Sequence, residues 1–323
     1  MLSGWIILDK PLWLGSTQAV AAVKRNLREA GIPKTKVGHG GTLDPLATGV
    51  LPIALGEATK LAGRMLDASK IYEFTILFGT ETDTLDGEGE VILTSEHRPS
   101  LPEVEAVLPQ FTGAIEQIPP KYSALKIDGK RAYDLARAGE KVEMKVREVT
   151  IHGLSPLSFR GGAGGGASQS NKVLADGAHP NPSPEGEGLS SITLTAHVSK
   201  GTYIRSLARD IALALGTVGH VSMLRRTKAG PFGLESAISL DKLNEIGKGA
   251  PAKNIILPLE AGLVDIPALD LSPEAARAVR QGRVLTGIAT DDGIHLARDA
   301  EMRPVALVEA TAGMLKVIRG FNI

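Results

Sequence analysis

Apolar residues recur along this chain with two periods, near two and near 3.6, and these divide most of it into strands and amphipathic helices. Trp5 to Leu8 is an unbroken apolar run between Gly4 and Pro11 and predicts a short strand. A helix is predicted to start near Ser16 or Thr17, either of which can cap it. Val20, Val23, Leu27 and Ala30 place apolar groups on one face, and Gly31 with Pro33 stops it. Lys36 to Gly49, KVGHGGTLDPLATG, is too rich in glycine and turn formers for a long element, and predicts a shaped loop leading into a buried strand from Val50 to Leu55. From Ile71 to Phe78 the period is two, so Tyr72, Phe74, Ile76 and Phe78 share one face of a strand. Residues 130–138 and 202–215 have helical spacing, while 142–154 and 191–198 look extended. In the second helix Ile204, Leu207, Ile211 and Leu215 form the core stripe, with Arg205 and Arg209 projecting from another face.

The pattern fails in two places. Ser155 to Ser191 contains GGAGGGASQS and HPNPSPEGEG and lacks the apolar groups that offset chain entropy. Its Gly/Pro-rich part, about 158–190, reads as a flexible insertion between two strands. The second break is Gly247 to Lys253, after which Leu257 to Ile323 resumes with short strands and turns. This predicts a main domain over 1–250 and a small β-rich domain over 257–323. No internal repeat is evident.

Composition narrows the classes. With 323 residues, 43% hydrophobic and 22% charged, the chain is an ordinary globular sequence able to bury more than one core. Its apolar runs are too short to cross a bilayer, so no membrane is expected as a partner. The start, MLSGWIILDKP, has no basic n-region and meets Asp9 and Lys10 almost at once, unlike a signal peptide. The lack of cysteine removes disulfides, Cys-ligated zinc and iron–sulfur clusters, and a cytoplasmic protein is expected. A net charge of zero argues against nucleic acid, but the distribution qualifies that. Between His197 and Phe232 lie Lys200, Arg205, Arg209, Arg225, Arg226 and Lys228 against only Asp210. Glu81 to Glu90 is the acidic counterweight. A local basic face can bind phosphates, although charge alone fits an ordinary solvated face better.

The chemistry centres on His39-Gly-Gly-Thr-Leu-Asp44-Pro. A carboxylate in a glycine-studded loop between apolar elements suits a site that a substrate ring approaches closely. The same carboxylate could equally cap the turn through its backbone. Other readings are weaker. A P-loop would end in Gly-Lys-Ser/Thr, where this chain has Gly49-Val50-Leu51. A metal site on His39 and Asp44 lacks further ligands at recognisable spacing. A glycosidase needs a second carboxylate, and nothing selects Glu57 or Asp67. There is no G-x-S-x-G elbow.

GHGGTLDPLATGVLP resembles the catalytic motif of the bacterial tRNA pseudouridine-55 synthases, the TruB family. GWIILDKP, SKIYEFTILFGTETDTLDGEGE, IPPKYSALKIDGKRAYDLARAGE, SKGTYIRSLARDIALALG and VSMLRRTKAGPFGL resemble it in the same order, covering most of residues 4–245. The resemblance implies an α+β pseudouridine synthase fold, a mixed and largely antiparallel sheet with flanking helices, plus a C-terminal PUA-like domain that grips RNA. It implies isomerisation of uridine 55 in the T-loop of tRNA, with the T-arm stem-loop as partner. No cofactor, metal or protein partner is implied, and a monomer is expected. Asp44 matches the essential aspartate, Tyr72 the tyrosine that stacks on the flipped base, and Arg205 the arginine that pairs with the aspartate. His39 matches the residue filling the space the base leaves, and Leu224 the wall of the uracil pocket. Asp86 borders the active site, and Lys10 has a generic RNA-facing or structural role. A tRNA-binding or folding module without catalysis is the alternative, disfavoured by Asp44, Tyr72 and Arg205 occurring together. The insertion, and Val198 where many members have cysteine, are departures that touch no catalytic position.

Overall fold

Strand β1 (Gly4–Lys10) is buried along its length except at Asp9, which is why its sequence runs apolar instead of alternating. After it come helix α1 (Ser16–Glu29), the short strand β2 (Val37–His39) and β3 (Ala47–Leu55). β3 pairs antiparallel with β1, Trp5 opposite Ala54, and with β2, His39 opposite Ile53. α2 (Ala62–Asp67) follows. The computed structural model describes residues 2–123, 125–127, 129–140, 143–157 and 188–323. They form two compact units, residues 1–68 with 228–323, and residues 69–227. Two details differ from the sequence reading. The glycine-rich loop is shorter than its composition suggests, because Val37–His39 is extended and β3 starts at Ala47. Helix α1 is capped by Gly15, whose N–H donates to Gln18 Oε1 at 2.7 Å, because the Ser16 hydroxyl is engaged elsewhere.

The second unit contains β4 (Lys70–Phe78), β5 (Thr80–Thr82), β6 (Val91–Thr94), α3 (Leu101–Val107) and β7 (Gly113–Gln117). There follow β8 (Lys126–Ile127), β9 (Lys130–Arg131), α4 (Ala132–Arg137), β10 (Arg147–Pro156), β11 (Ser191–Val198), α5 (Ile204–Ala214) and β12 (Gly219–Ala229). The strands line up as β12-β4-β11-β10-β7, with β4, β11, β10 and β7 successively antiparallel. Phe74, Ile76 and Phe78 of β4 meet Ile204, Leu207 and Ile211 of α5 in one interior, so both predicted apolar stripes face each other.

The predicted insertion lies mostly outside the described residues, but its exits are fixed. Pro156 pairs opposite Leu194, the buried Leu189 donates its N–H to Pro99 O at 2.8 Å, and Phe78 donates to Ser190 O at 2.9 Å. Deleting Gly161 to Gly186 should therefore leave the melting temperature unchanged or slightly raised, since each halving of the length of a connection is worth only about 0.6 kcal/mol in closure entropy. Extending the deletion through Leu189 should lower it, because roughly the 1.5–3 kcal/mol of a buried leucine is lost from the stability. Thermal melts of the two deletions compared with the intact chain test this.

The rest of the first unit begins with β13 (Phe232–Gly233), which pairs with Lys228 and Ala229 at the end of β12. Helix α6 (Leu240–Gly247), capped by Ser239, lies against α1, where Asn26 Nδ2 donates to Asn244 Oδ1 at 3.0 Å. After the break the chain is stitched to β1. Trp5 and Leu257 exchange backbone hydrogen bonds, and Trp5 Nε1 donates to Leu259 O at 3.0 Å. Then come β14 (Ala268–Asp270), α7 (Pro273–Arg280), β15 (Leu285–Thr286), β16 (Gly293–Arg298), β17 (Pro304–Thr311) and β18 (Met314–Gly320), in a sheet ordered β14-β16-β17-β18-β15. One set of its side chains, including Ala306 and Val308, packs with Ala276 and Val279 of α7. Leu296, Leu307 and Phe321 instead join the cluster of Trp5, Ile7, Leu259 and Leu263. The architecture is the expected α+β one, with largely antiparallel sheets, flanking helices and a small β-rich C-terminal part. No helix among the described residues is long and apolar enough to cross a membrane.

Candidate functional site

In the first unit, Asp44 occupies the turn between β2 and β3, and the backbone around it is pinned. Ala47 N–H donates to Asp44 O at 3.0 Å and Trp13 N–H to Pro45 O at 2.9 Å. The Ser16 hydroxyl accepts the Leu43 N–H at 2.8 Å and donates to Leu43 O at 2.9 Å, clamping the residue before Asp44 onto α1. Lys10, at the end of β1, is fully buried. Its Nζ donates to Pro11 O at 3.0 Å, Leu14 O at 2.7 Å and Pro45 O at 3.3 Å. Burying an ammonium costs several kcal/mol unless its donors are met. Carbonyls of two loops meet these, so one cation ties the turn after β1 to the turn carrying Asp44. The glycines have local reasons. A Cβ on Gly40 would lie 2.5 Å from the Met65 Cβ, and Gly49 has φ of 101°, where side chains are disfavoured. Leu43 points into the interior while Asp44 and His39 are half-buried.

In the second unit, Arg205 near the start of α5 is buried. Its Nη1 donates to Thr84 O at 2.8 Å and to Asp86 Oδ2 at 3.1 Å, and its Nη2 to Tyr122 O at 2.9 Å. Asp86 is equally enclosed, and its Oδ1 accepts from Thr84 Oγ1 at 2.6 Å and from the Glu88 N–H at 3.0 Å. Between them Leu85 has φ of 63°, and its carbonyl accepts the Val221 N–H at 3.1 Å. The acidic turn, the Tyr122 loop and α5 thus meet on one guanidinium. A hydrogen bond to the Asp83 carboxylate, then burial, pushes the Tyr122 phenol above its ordinary pKa. Tyr72 and Leu224 are half-buried at the edge of the interior that contains Phe74 and Ile204.

Among the residues expected from sequence, Lys10 and the Asp44 turn are joined directly, as are Arg205 and Asp86. The basic stretch from 197 to 232 is not a continuous solvent-facing surface. Arg226 is 1% exposed, Arg205 is taken up by Asp86, and Arg209 bonds Asp210 at 2.7 Å. A charge count misses this because it cannot see partners. The sequence reading also missed Lys10 as a clamp; its one signal was a lysine directly after a buried strand and before proline.

Comparison with known proteins places these residues in one family. Asp44, Tyr72 and Asp86 fall within residues 26–175, which match the TruB family pseudouridylate synthase N-terminal domain. Arg205 and Leu224 fall within residues 205–264, which match the tRNA pseudouridylate synthase B C-terminal domain. The chain is 64% identical over 323 residues to the tRNA pseudouridine synthase B of Novosphingobium aromaticivorans, covering 100% of this chain and 98% of that one. It is 54% identical over 321 residues to the enzyme of the same name from Zymomonas mobilis, covering 99% and 96%. A chain in a solved H/ACA ribonucleoprotein bound to a substrate RNA containing 2′-deoxyuridine superposes with a TM-score of 0.68 at 24% identity, over 99% of this chain and 85% of that one. That likeness shows a shared fold and no more. With 64% identity running from end to end, and with two family domains matched in order, this chain belongs to the TruB family of pseudouridylate synthases.

Proposed function

We propose that this chain isomerises uridine 55 in the T-loop of tRNA to pseudouridine, with Asp44 as the catalytic carboxylate. The reaction breaks the C1′–N1 bond, turns the uracil and forms C1′–C5; C5 loses a proton and N1 ends with one. Nothing is oxidised or transferred away, so no cofactor or metal is required. The observation that carries this reading is the fixed turn at Asp44, because a carboxylate acting on one ring atom needs its backbone held.

The other residues take supporting roles. The uridine is extruded from the T-loop at a cost of a few kcal/mol, and His39 fills the space it leaves. Tyr72 stacks on the flipped base and takes part in removing the C5 proton, and Leu224 lines the uracil pocket. Arg205 supplies the positive charge that aims the Asp44 carboxylate. Asp86 and Lys10 act as positioning residues: Asp86 fixes the Arg205 guanidinium, and Lys10 fixes the turn. The enzyme works as a cytoplasmic monomer, without a protein partner or a membrane.

Residues 257–323 form the PUA-like part that grips RNA away from Asp44, and residues 1–250 form the catalytic domain. Leu259, Leu296, Leu307 and Phe321 share an interior with Trp5, so this role is better probed by surface substitutions than by truncation. Release of tritium from tRNA labelled at uridine C5 tests the chemistry. The expected yield is one tritium per tRNA, and none would refute the isomerase reading.

A further inference from the structure

Beside the Asp44 turn, the first unit carries a feature that the reaction above does not use. Trp13 is 66% exposed, and its φ of 65° is a conformation that favours glycine. Its backbone is fixed by the bond to Pro45 O, the residue after Asp44. Trp13, Leu14, Lys24, Arg25, Arg28 and Leu240 line a groove of about 730 Å³ between the turn after β1 and helix α1. Lys24, Arg25 and Arg28 are exposed, as are Lys34 and Lys36 just beyond the helix, and Glu29 is the one acid among residues 24–36. On α6, Glu245 is engaged by Lys242 at 2.7 Å, and Asp241 follows Leu240.

We propose that this groove is a second RNA contact, in which Trp13 stacks on an unpaired base near the target uridine and Lys24, Arg25 and Arg28 bind phosphates of the same strand. An exposed indole among cations matches the two components of single-strand recognition, a stacking platform and an electrostatic track. The bond from Trp13 N–H to Pro45 O sets this groove next to the Asp44 turn, within reach of RNA bound there. The inference rests on tRNA being the substrate, and it adds a site outside the catalytic residues.

The test measures the affinity of the intact protein for a T-arm stem-loop at several salt concentrations, with kcat at saturation and melting temperature alongside. Trp13→Gly should weaken binding about tenfold, within the range expected for one lost stack. Its melting temperature should hold or rise, because glycine accepts this φ without strain. Trp13→Tyr, equally strained but aromatic, should bind within about threefold of the parent protein. The triple change Lys24→Ala, Arg25→Ala, Arg28→Ala should reduce the salt dependence by a log–log slope of about 2, for three lost phosphate contacts at about 0.7 each. Saturating kcat should be retained throughout. Wild-type affinity in Trp13→Gly, an unchanged slope in the triple variant, or Trp13→Tyr as weak as Trp13→Gly would each overturn the proposal. Absent turnover in the parent protein would instead count against the isomerase reading, because these readouts are binding constants.

Discussion

Asp44→Asn is expected to lower the single-turnover rate by about 10³-fold or more while tRNA affinity stays within a few-fold. The amide is nearly isosteric but cannot act as the carboxylate does. The turn itself should survive, because it keeps several anchors that do not involve the carboxylate: Lys10 Nζ and Trp13 N–H on Pro45 O, Ser16 on both backbone groups of Leu43, and Ala47 N–H on Asp44 O. Melting temperature should therefore hardly move. A variant that turns over within tenfold of the parent would remove Asp44 from the mechanism.

Arg205→Lys is expected to fail differently, losing turnover and stability together. The guanidinium reaches Thr84 O, Asp86 Oδ2 and Tyr122 O from two nitrogens of one planar fork, a geometry that the single nitrogen of a lysine ammonium does not reproduce. Disrupting a buried charge pair of this kind costs about 3–5 kcal/mol, much of it from the group left unpaired. The melting temperature should fall by several degrees, with turnover severely reduced even where the protein remains folded. Near-parental activity and an unchanged melting temperature would mean that the network around Asp86 is neither structural nor tied to the reaction.

The two predictions rest on features that were legible in the sequence to different degrees. The alternation through Tyr72, Phe74, Ile76 and Phe78 and the stripe of Ile204, Leu207 and Ile211 were readable because each element buries one face, so local spacing carries the information. The Asp44 loop stood out by its glycines and by its resemblance to a family motif. The supports of that loop were not readable. Lys10 ends a buried strand, and nothing local says that its ammonium turns inward to three carbonyls. Spacing alone left Asp86 as one acid of the Glu81–Glu90 run, because its partner Arg205 is 119 residues away, and only the family resemblance set it at the border of the active site. Strand β2 has only three residues, too few to show a period, and exists because β3 offers it an edge. Similarly, short strands could be read between Leu257 and Ile323, but the sharing of Trp5's interior by Leu296, Leu307 and Phe321 depends on packing between distant segments.

The most direct test is to map pseudouridine, by reverse-transcription stops after carbodiimide treatment, in an unmodified tRNA incubated with the purified protein. A single new pseudouridine is expected at uridine 55 of the T-loop with the parent protein, and none with Asp44→Asn. No pseudouridine at all, modification confined to another position, or the same stop with Asp44→Asn would contradict it.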